Sequence, residues 1–211
     1  MKYPSAKHTP GVNTNYQYAM GITRLLFTLL VMLTTVRLSA QQVGNFTLNN
    51  VVNGKPVSLE TYPSCAGIAI IFTSNTCAFD EYYRGRISRL STDYSDRVPV
   101  LLVNSGVEAG ESEESMLKKA TQLNLKVPYL ADKDQSLRKQ LGATRTPQVF
   151  LLKNNGGSFA IVYRGAIDDN AQVEADVRNA YLKDAIDILL TNQTIQTPEV
   201  RPMGCTIRKK P

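Results

Sequence analysis

The hydrophobic period changes along the chain. Ile68-Ala69-Ile70-Ile71-Phe72 is a continuous apolar run of strand length, the pattern of a strand covered on both faces. Val98 to Val103 repeats that pattern. Between the two runs, residues 77–93 place Tyr83, Ile87, Leu90 and Tyr94 three and four apart, which predicts an amphipathic helix. A second helix is predicted from Ser112 to Leu123, with acids in its first turn and lysines toward its end. A shorter one over 135–141 is stopped by Gly142. Pro147 opens a predicted strand over 148–152, and Asn154-Asn155-Gly156-Gly157 turns into another over 159–163. A last helix is predicted over 171–190, with Val173, Val177, Tyr181, Ala185, Ile188 and Leu189 near one face. Upstream, Phe46-Thr47-Leu48 and Val57-Ser58-Leu59 flank the turn residues Asn53-Gly54-Lys55-Pro56 and predict a short hairpin. Residues 191–211 predict an irregular tail. The element order predicts an α/β fold: a mixed sheet flanked by helices on both faces, with an N-terminal hairpin and an irregular C-terminal tail.

The first 40 residues follow a different pattern. Leu25 to Leu33 is an apolar run of signal-peptide length, too short to span a bilayer comfortably. Arg24 precedes it, and Leu38-Ser39-Ala40 offers small residues for cleavage before Gln41. Met20 would place the positive charge closer to a start than Met1 does. The expected organisation is therefore an extension and signal peptide over 1–40, a folded domain over 41–190 and a tail over 191–211 carrying Cys205. Such a protein is exported, periplasmic or secreted, with no stable membrane insertion after cleavage. Export implies a compartment where disulfides persist.

Charge supports this division. The net charge is +6, but Lys2, Lys7, Arg24 and Arg37 fall in the first 40 residues, which contain no acid. The remaining 20 basic residues face 18 acidic ones, so the bulk of the chain is nearly balanced and nucleic acid is not an expected partner. The single histidine, His8, lies in the same segment. After cleavage, catalysis by a Ser-His-Asp or Cys-His arrangement and histidine-ligated metal drop out together. Three scattered cysteines cannot build a four-cysteine zinc site, and no cofactor is expected.

Cys77 falls where the first long strand gives way to a helix, and Thr146-Pro147 opens the late strand pair. This arrangement resembles the thioredoxin-like fold over roughly residues 43–190. Ser74-Asn75-Thr76-Cys77 with Tyr82 and Arg86-Ile87 narrows the likeness. So do Thr146-Pro147-Gln148-Val149-Phe150-Leu151, Arg164-Gly165-Ala166-Ile167-Asp168-Asp169-Asn170 and the Gly204-Cys205 pair. Together they resemble the peroxiredoxin-like branch, the redoxins of the alkyl hydroperoxide reductase and thiol-specific antioxidant group.

The resemblance implies a redox cysteine at Cys77. A thiolate at a helix N-terminus is stabilised by the dipole and by free N–H groups. It also implies a cis-proline loop at Thr146 and Pro147 that offers backbone groups to an extended substrate. The sequence departs from the family at residue 80, where the second active-site cysteine, and the peroxidatic one, would stand. Asp80 is there instead, one turn after Cys77, where its charge opposes a thiolate. Glu81 adds to that effect, and Arg84 and Arg86 are candidates to offset it. Arg145, beside the proline loop, is a candidate for modulating activity; a solvated loop arginine is the plainer reading. Asp168-Asp169-Asn170 reads as helix capping rather than a catalytic pair. The acidic run Glu108, Glu111, Glu113, Glu114 reads as a loop and helix start.

Cys205 lies in the tail, and about 15 extended residues can span roughly 45 Å. With no cysteine at residue 80, Cys205 is a candidate to resolve or pair with Cys77. Pairings 77–205, 65–205 and 65–77 are all open, although Cys65 reads as a small apolar residue. Two functions follow. One is a thiol–disulfide or peroxiredoxin-like oxidoreductase, acting on a disulfide-bearing protein or small oxidant and recharged by a thiol electron donor. The other is a non-catalytic binding module with Cys77–Cys205 as a staple.

Overall fold

The computed structural model describes residues 41–210. The apolar run, the cleavage position, the alternative start and His8 lie outside the described residues. Elements follow in the order β1 (Gln42–Val43), β2 (Thr47–Asn50), β3 (Lys55–Ser58), β4 (Gly67–Phe72), α1 (Ala78–Asp93), β5 (Val100–Asn104), α2 (Glu113–Gln122), β6 (Tyr129–Ala131) and α3 (Ser136–Leu141). They continue with β7 (Arg145–Thr146), β8 (Gln148–Asn155), β9 (Ser158–Gly165), α4 (Tyr181–Leu190), β10 (Glu199–Val200) and β11 (Cys205–Thr206).

The main sheet runs β1-β9-β8-β4-β5-β6-β2-β3. β4, β5 and β6 are parallel neighbours, and the helices α1 and α2 supply the crossovers that parallel pairing needs. β8 and β9 join antiparallel on the other side of β4. β4 is buried along its whole length, as its apolar run predicts. Alternation then divides it. Ala69 and Ile71 meet Leu102, Val149 and Leu151 beneath α1 and α4, whose Tyr83, Ile87, Leu182 and Ile186 close that core. Ile68, Ile70 and Phe72 meet Leu101, Val103 and Phe150 under Leu137 and Leu141 of α3, with Leu48 and Val57 of the hairpin. Helices thus cover both faces of a mixed sheet, as expected.

Three expectations are corrected. The helix predicted over 171–190 begins only at Tyr181, preceded by a single 3-10 turn at Glu174–Asp176. Side chains claim the backbone there: Asp169 accepts from the Arg178 N–H at 3.0 Å, and Asn170 accepts from the Val173 N–H at 2.9 Å. Such local bonds compete with helix. Val173, counted on the buried face, is 47% exposed. The Asp168-Asp169-Asn170 segment therefore caps no α-helix. The tail is also not irregular throughout: β10 pairs in parallel with β9, and β11 pairs antiparallel with β7.

Candidate redox site

Cys77 is the N-cap of α1, with extended backbone (φ −88°, ψ 123°), and is 4% exposed. The segment before it is held by one carboxylate. Glu111 accepts from the Ser74 hydroxyl at 2.6 Å, the Asn75 N–H at 2.9 Å, the Thr76 N–H at 3.1 Å, the Thr76 hydroxyl at 2.7 Å and the Asn104 amide at 2.6 Å. Burial pushes this carboxyl up, but the bonds from Ser74, Asn104, Asn75 and Thr76 outweigh burial and hold it below its ordinary value. In the sequence Glu111 belongs to an acidic run that reads as a loop and helix start. Its signal lay at a distance: Ser74-Asn75-Thr76 is a run of donors that needs an acceptor.

The proline loop lies against Cys77. The Thr146–Pro147 peptide bond is cis, and Cys77 Sγ is 3.3 Å from the Thr146 carbonyl oxygen. The tail docks on the same loop. Cys205 stands opposite Thr146 and Thr206 opposite Arg145 in a two-residue antiparallel ladder. Cys77 and Cys205 are joined by a disulfide, with a Cα–Cα distance of 6.0 Å across 128 residues of sequence. Gly204 is required for this seating, because a Cβ there would collide with the Thr146 carbonyl oxygen. Arg145 donates to the Gly204 carbonyl at 2.9 Å, so it grips the tail and is not a solvated loop arginine. Gln135, fully buried, donates to the Arg208 carbonyl at 2.7 Å and accepts from the Lys210 N–H at 2.9 Å. Ile207 is buried among Leu137, Leu141 and their neighbours. Sequence reasoning missed Gln135, whose amide reaches residues more than seventy positions away.

Asp80 is buried one turn beyond Cys77, and neither carboxylate oxygen has a hydrogen-bond partner. Burial pushes it up to about 7; the donors of Thr73, the Ser74 backbone and Thr146 lie near the carboxylate without reaching hydrogen-bond geometry, and oppose the rise only in part. The full repulsive charge expected from sequence is therefore only partly present at neutral pH. The arginines named as offsets are engaged elsewhere. Arg84 pairs with Glu81. Arg86 is buried, donating to Asp168 at 2.5 Å and to the Asn170 carbonyl at 2.7 Å, and its guanidinium lies 4.2 Å from the Tyr83 ring centre. The Tyr83 hydroxyl also donates to Asp168, at 2.8 Å. Asp168 thus organises a buried polar knot. Cys65 is free and half-buried, its thiol 3.2 Å from the Tyr62 carbonyl, and burial pushes the thiol up.

The site brings together Cys77, Asp80, Arg145, Thr146, Pro147 and Cys205. A disulfide at a helix N-terminus can take up two electrons, and the thiolate released at Cys77 lies among the free N–H groups of α1.

Residues 39–162 match the AhpC/TSA family. Among curated proteins, none matches the chain. A conserved protein of Geobacillus kaustophilus is 30% identical with a TM-score of 0.74, over 82% of this chain and 92% of that one. A protein of Sinorhizobium meliloti 1021 is 27% identical with a TM-score of 0.71, over 80% of this chain and 92% of its own. The pneumococcal exposed lipoprotein thioredoxin of Streptococcus pneumoniae shares the fold at 22% identity and a TM-score of 0.54, over 68% of this chain and 99% of that one.

Proposed function

This chain belongs to the AhpC/TSA family, and from that premise we propose that it is an exported thiol–disulfide oxidoreductase whose working pair is Cys77 and Cys205. The observation that carries the proposal is the Cys77–Cys205 disulfide, made where the tail lies along the Thr146 edge. In thioredoxin-like proteins that edge receives an extended substrate. Here the chain's own tail occupies it and delivers Cys205 to Cys77.

The reduced pair works in two steps. The Cys77 thiolate attacks one sulfur of a partner disulfide, the partner's S–S bond breaks, and one partner thiolate leaves. Cys205, having lost its proton to solvent, then attacks Cys77 Sγ. The mixed disulfide breaks, the second partner thiolate leaves, and Cys77–Cys205 forms. Two electrons pass from the protein to the partner. A thiol donor reverses the sequence to restore the dithiol. Thr146 and Pro147 position the attacking segments, and Asp80 modulates the thiolate. Peroxide reduction is slow, because aspartate stands at the peroxidatic position.

The burial of Cys77 favours a second reading, in which the disulfide is a staple and the module only binds. Cys205→Ser separates the two. Incubated with a disulfide-bearing protein, the reduced variant accumulates a mixed disulfide at Cys77 if the pair exchanges. It accumulates none if the bond is a staple. Export rests on the apolar run at 25–33 and the small residues before Gln41. N-terminal sequencing of protein from the cell envelope gives a start near Gln41; an intact Met1 or Met20 in the cytosol contradicts export.

A further inference from the structure

A cleft of about 360 Å³ opens beside the Cys77 turn, between α1 and the segment joining α2 to β6. That volume is within the range of small-molecule sites. The floor is apolar, formed by Ile87, Leu102, Leu123, Leu125 and Val127. Arg84, Lys119 and Lys126 also line the cleft. Glu81 takes up Arg84 and, at 3.4 Å, Lys119. Lys126 meets only a neutral partner, the Asn124 side-chain oxygen at 2.8 Å, and is in no ion pair among the described residues. The only other acid in the lining is Asp80, whose negative charge burial opposes. An apolar floor therefore combines with an excess of positive charge.

Gly85 supplies an independent observation. It sits in the middle of α1, where glycine is unfavourable. Neither backbone nor packing asks for it: a Cβ at 85 would meet only the end of the Arg89 side chain, at 3.5 Å. Gly85 lines the cleft, and what a side chain there would take up is the cleft's own space.

We propose that this cleft is a binding site for a small amphipathic monoanion. The ligand's apolar body lies on Ile87, Leu102 and Val127, and its carboxylate or sulfonate head meets Lys126. The cleft adjoins the redox site and shares Asp80 with it, but ligand binding there requires no exchange at Cys77 and Cys205. A cationic amphiphile of the same length is repelled by the lining, and a neutral one loses the contact at the head.

Anilinonaphthalene sulfonate, an amphipathic anion that fluoresces when desolvated, is the first probe. It is titrated into the oxidised protein and then displaced with decanoate, decanol or decyltrimethylammonium. The proposal expects saturable single-site binding, displacement by decanoate, and at least tenfold weaker displacement by the cation. Gly85→Leu should weaken decanoate at least tenfold while thermal stability holds or rises, since leucine is the better helix former. Lys126→Glu should weaken decanoate severalfold and leave decanol unchanged. Amide NMR of the wild-type protein with decanoate needs no variant to fold; shifts should centre on residues 85–88 and 123–127. Equal displacement by anion and cation, unchanged binding in folded Gly85→Leu, or shifts centred on α3 would each overturn the proposal.

Discussion

Cys205 stands directly opposite Thr146 in a two-residue antiparallel ladder. The same residue, Thr146, has its carbonyl oxygen 3.3 Å from Cys77 Sγ. One backbone segment thus addresses both cysteines. It receives the tail as a strand on one side and abuts the N-cap of α1 on the other. The disulfide closes where those two contacts meet, with Arg145 and Gln135 gripping the residues around Cys205.

Gly204→Ala tests this seating, because its Cβ would collide with the Thr146 carbonyl oxygen. The tail then cannot present Cys205 in the same register. The equilibrium constant for closing the disulfide should fall at least tenfold, which raises the potential by about 30 mV. Redox titration of the variant beside wild type reads the difference. Equal potentials would mean that the Gly204 contact does not govern closure.

Asp80 predicts a pH dependence with a definite sign. Its folded value of about 7 lies above the ordinary 3.8. Between these values the folded protein holds a proton that the unfolded chain has released. Stability therefore falls as pH rises from about 4 to about 7 and levels off above. Asp80→Asn should flatten that slope and add on the order of 2 kcal/mol at pH 8. Urea unfolding of the oxidised protein at pH 5 and pH 8 measures both. An unchanged slope in the variant would remove Asp80 as its source.

Glu111 predicts the opposite sign. Held below its ordinary 4.5, it contributes stability that is present above that value and lost as pH falls through the folded one. Glu111→Gln keeps the size but loses the charge, and five donors then compete for one amide oxygen. The cost should be about 2–3 kcal/mol. Amide exchange at Asn75 and Thr76 should speed up, and alkylation of reduced Cys77 should change rate. Unaltered exchange at both amides would contradict a positioning role.

Arg86→Met strands Asp168 in the interior and should cost about 3–5 kcal/mol, read by denaturant unfolding. Its effect on the pH profile of Cys77 alkylation should be small. Arg86 already donates to Asp168 and to the Asn170 carbonyl, and neither lies at the sulfur.

What the sequence revealed follows from the range of the interactions involved. β4 and α1 were legible because continuous apolar runs and three-four spacing are local signals of burial. Cys77 was legible because strand end and helix start meet there. The segment 171–180 misled because Val173 and Val177 fall at helical spacing, while Asp169 and Asn170 satisfy the backbone by other means. β10 and β11 are two residues each and exist only through partners some 35 and 60 positions away. No period can announce such strands. Glu111 and Gln135 were passed over for the same reason: each is an ordinary polar residue until the donors or acceptors it serves are folded against it.

The reduction potential distinguishes a Cys77–Cys205 redox couple from a staple. Equilibration of the protein in graded thiol–disulfide buffers, with trapping by alkylation, measures their potential. A redox couple gives one two-electron transition between about −300 and −120 mV, carried by Cys77 and Cys205 with Cys65 unchanged. A potential below about −300 mV, or the same transition surviving in Cys205→Ser, would contradict it.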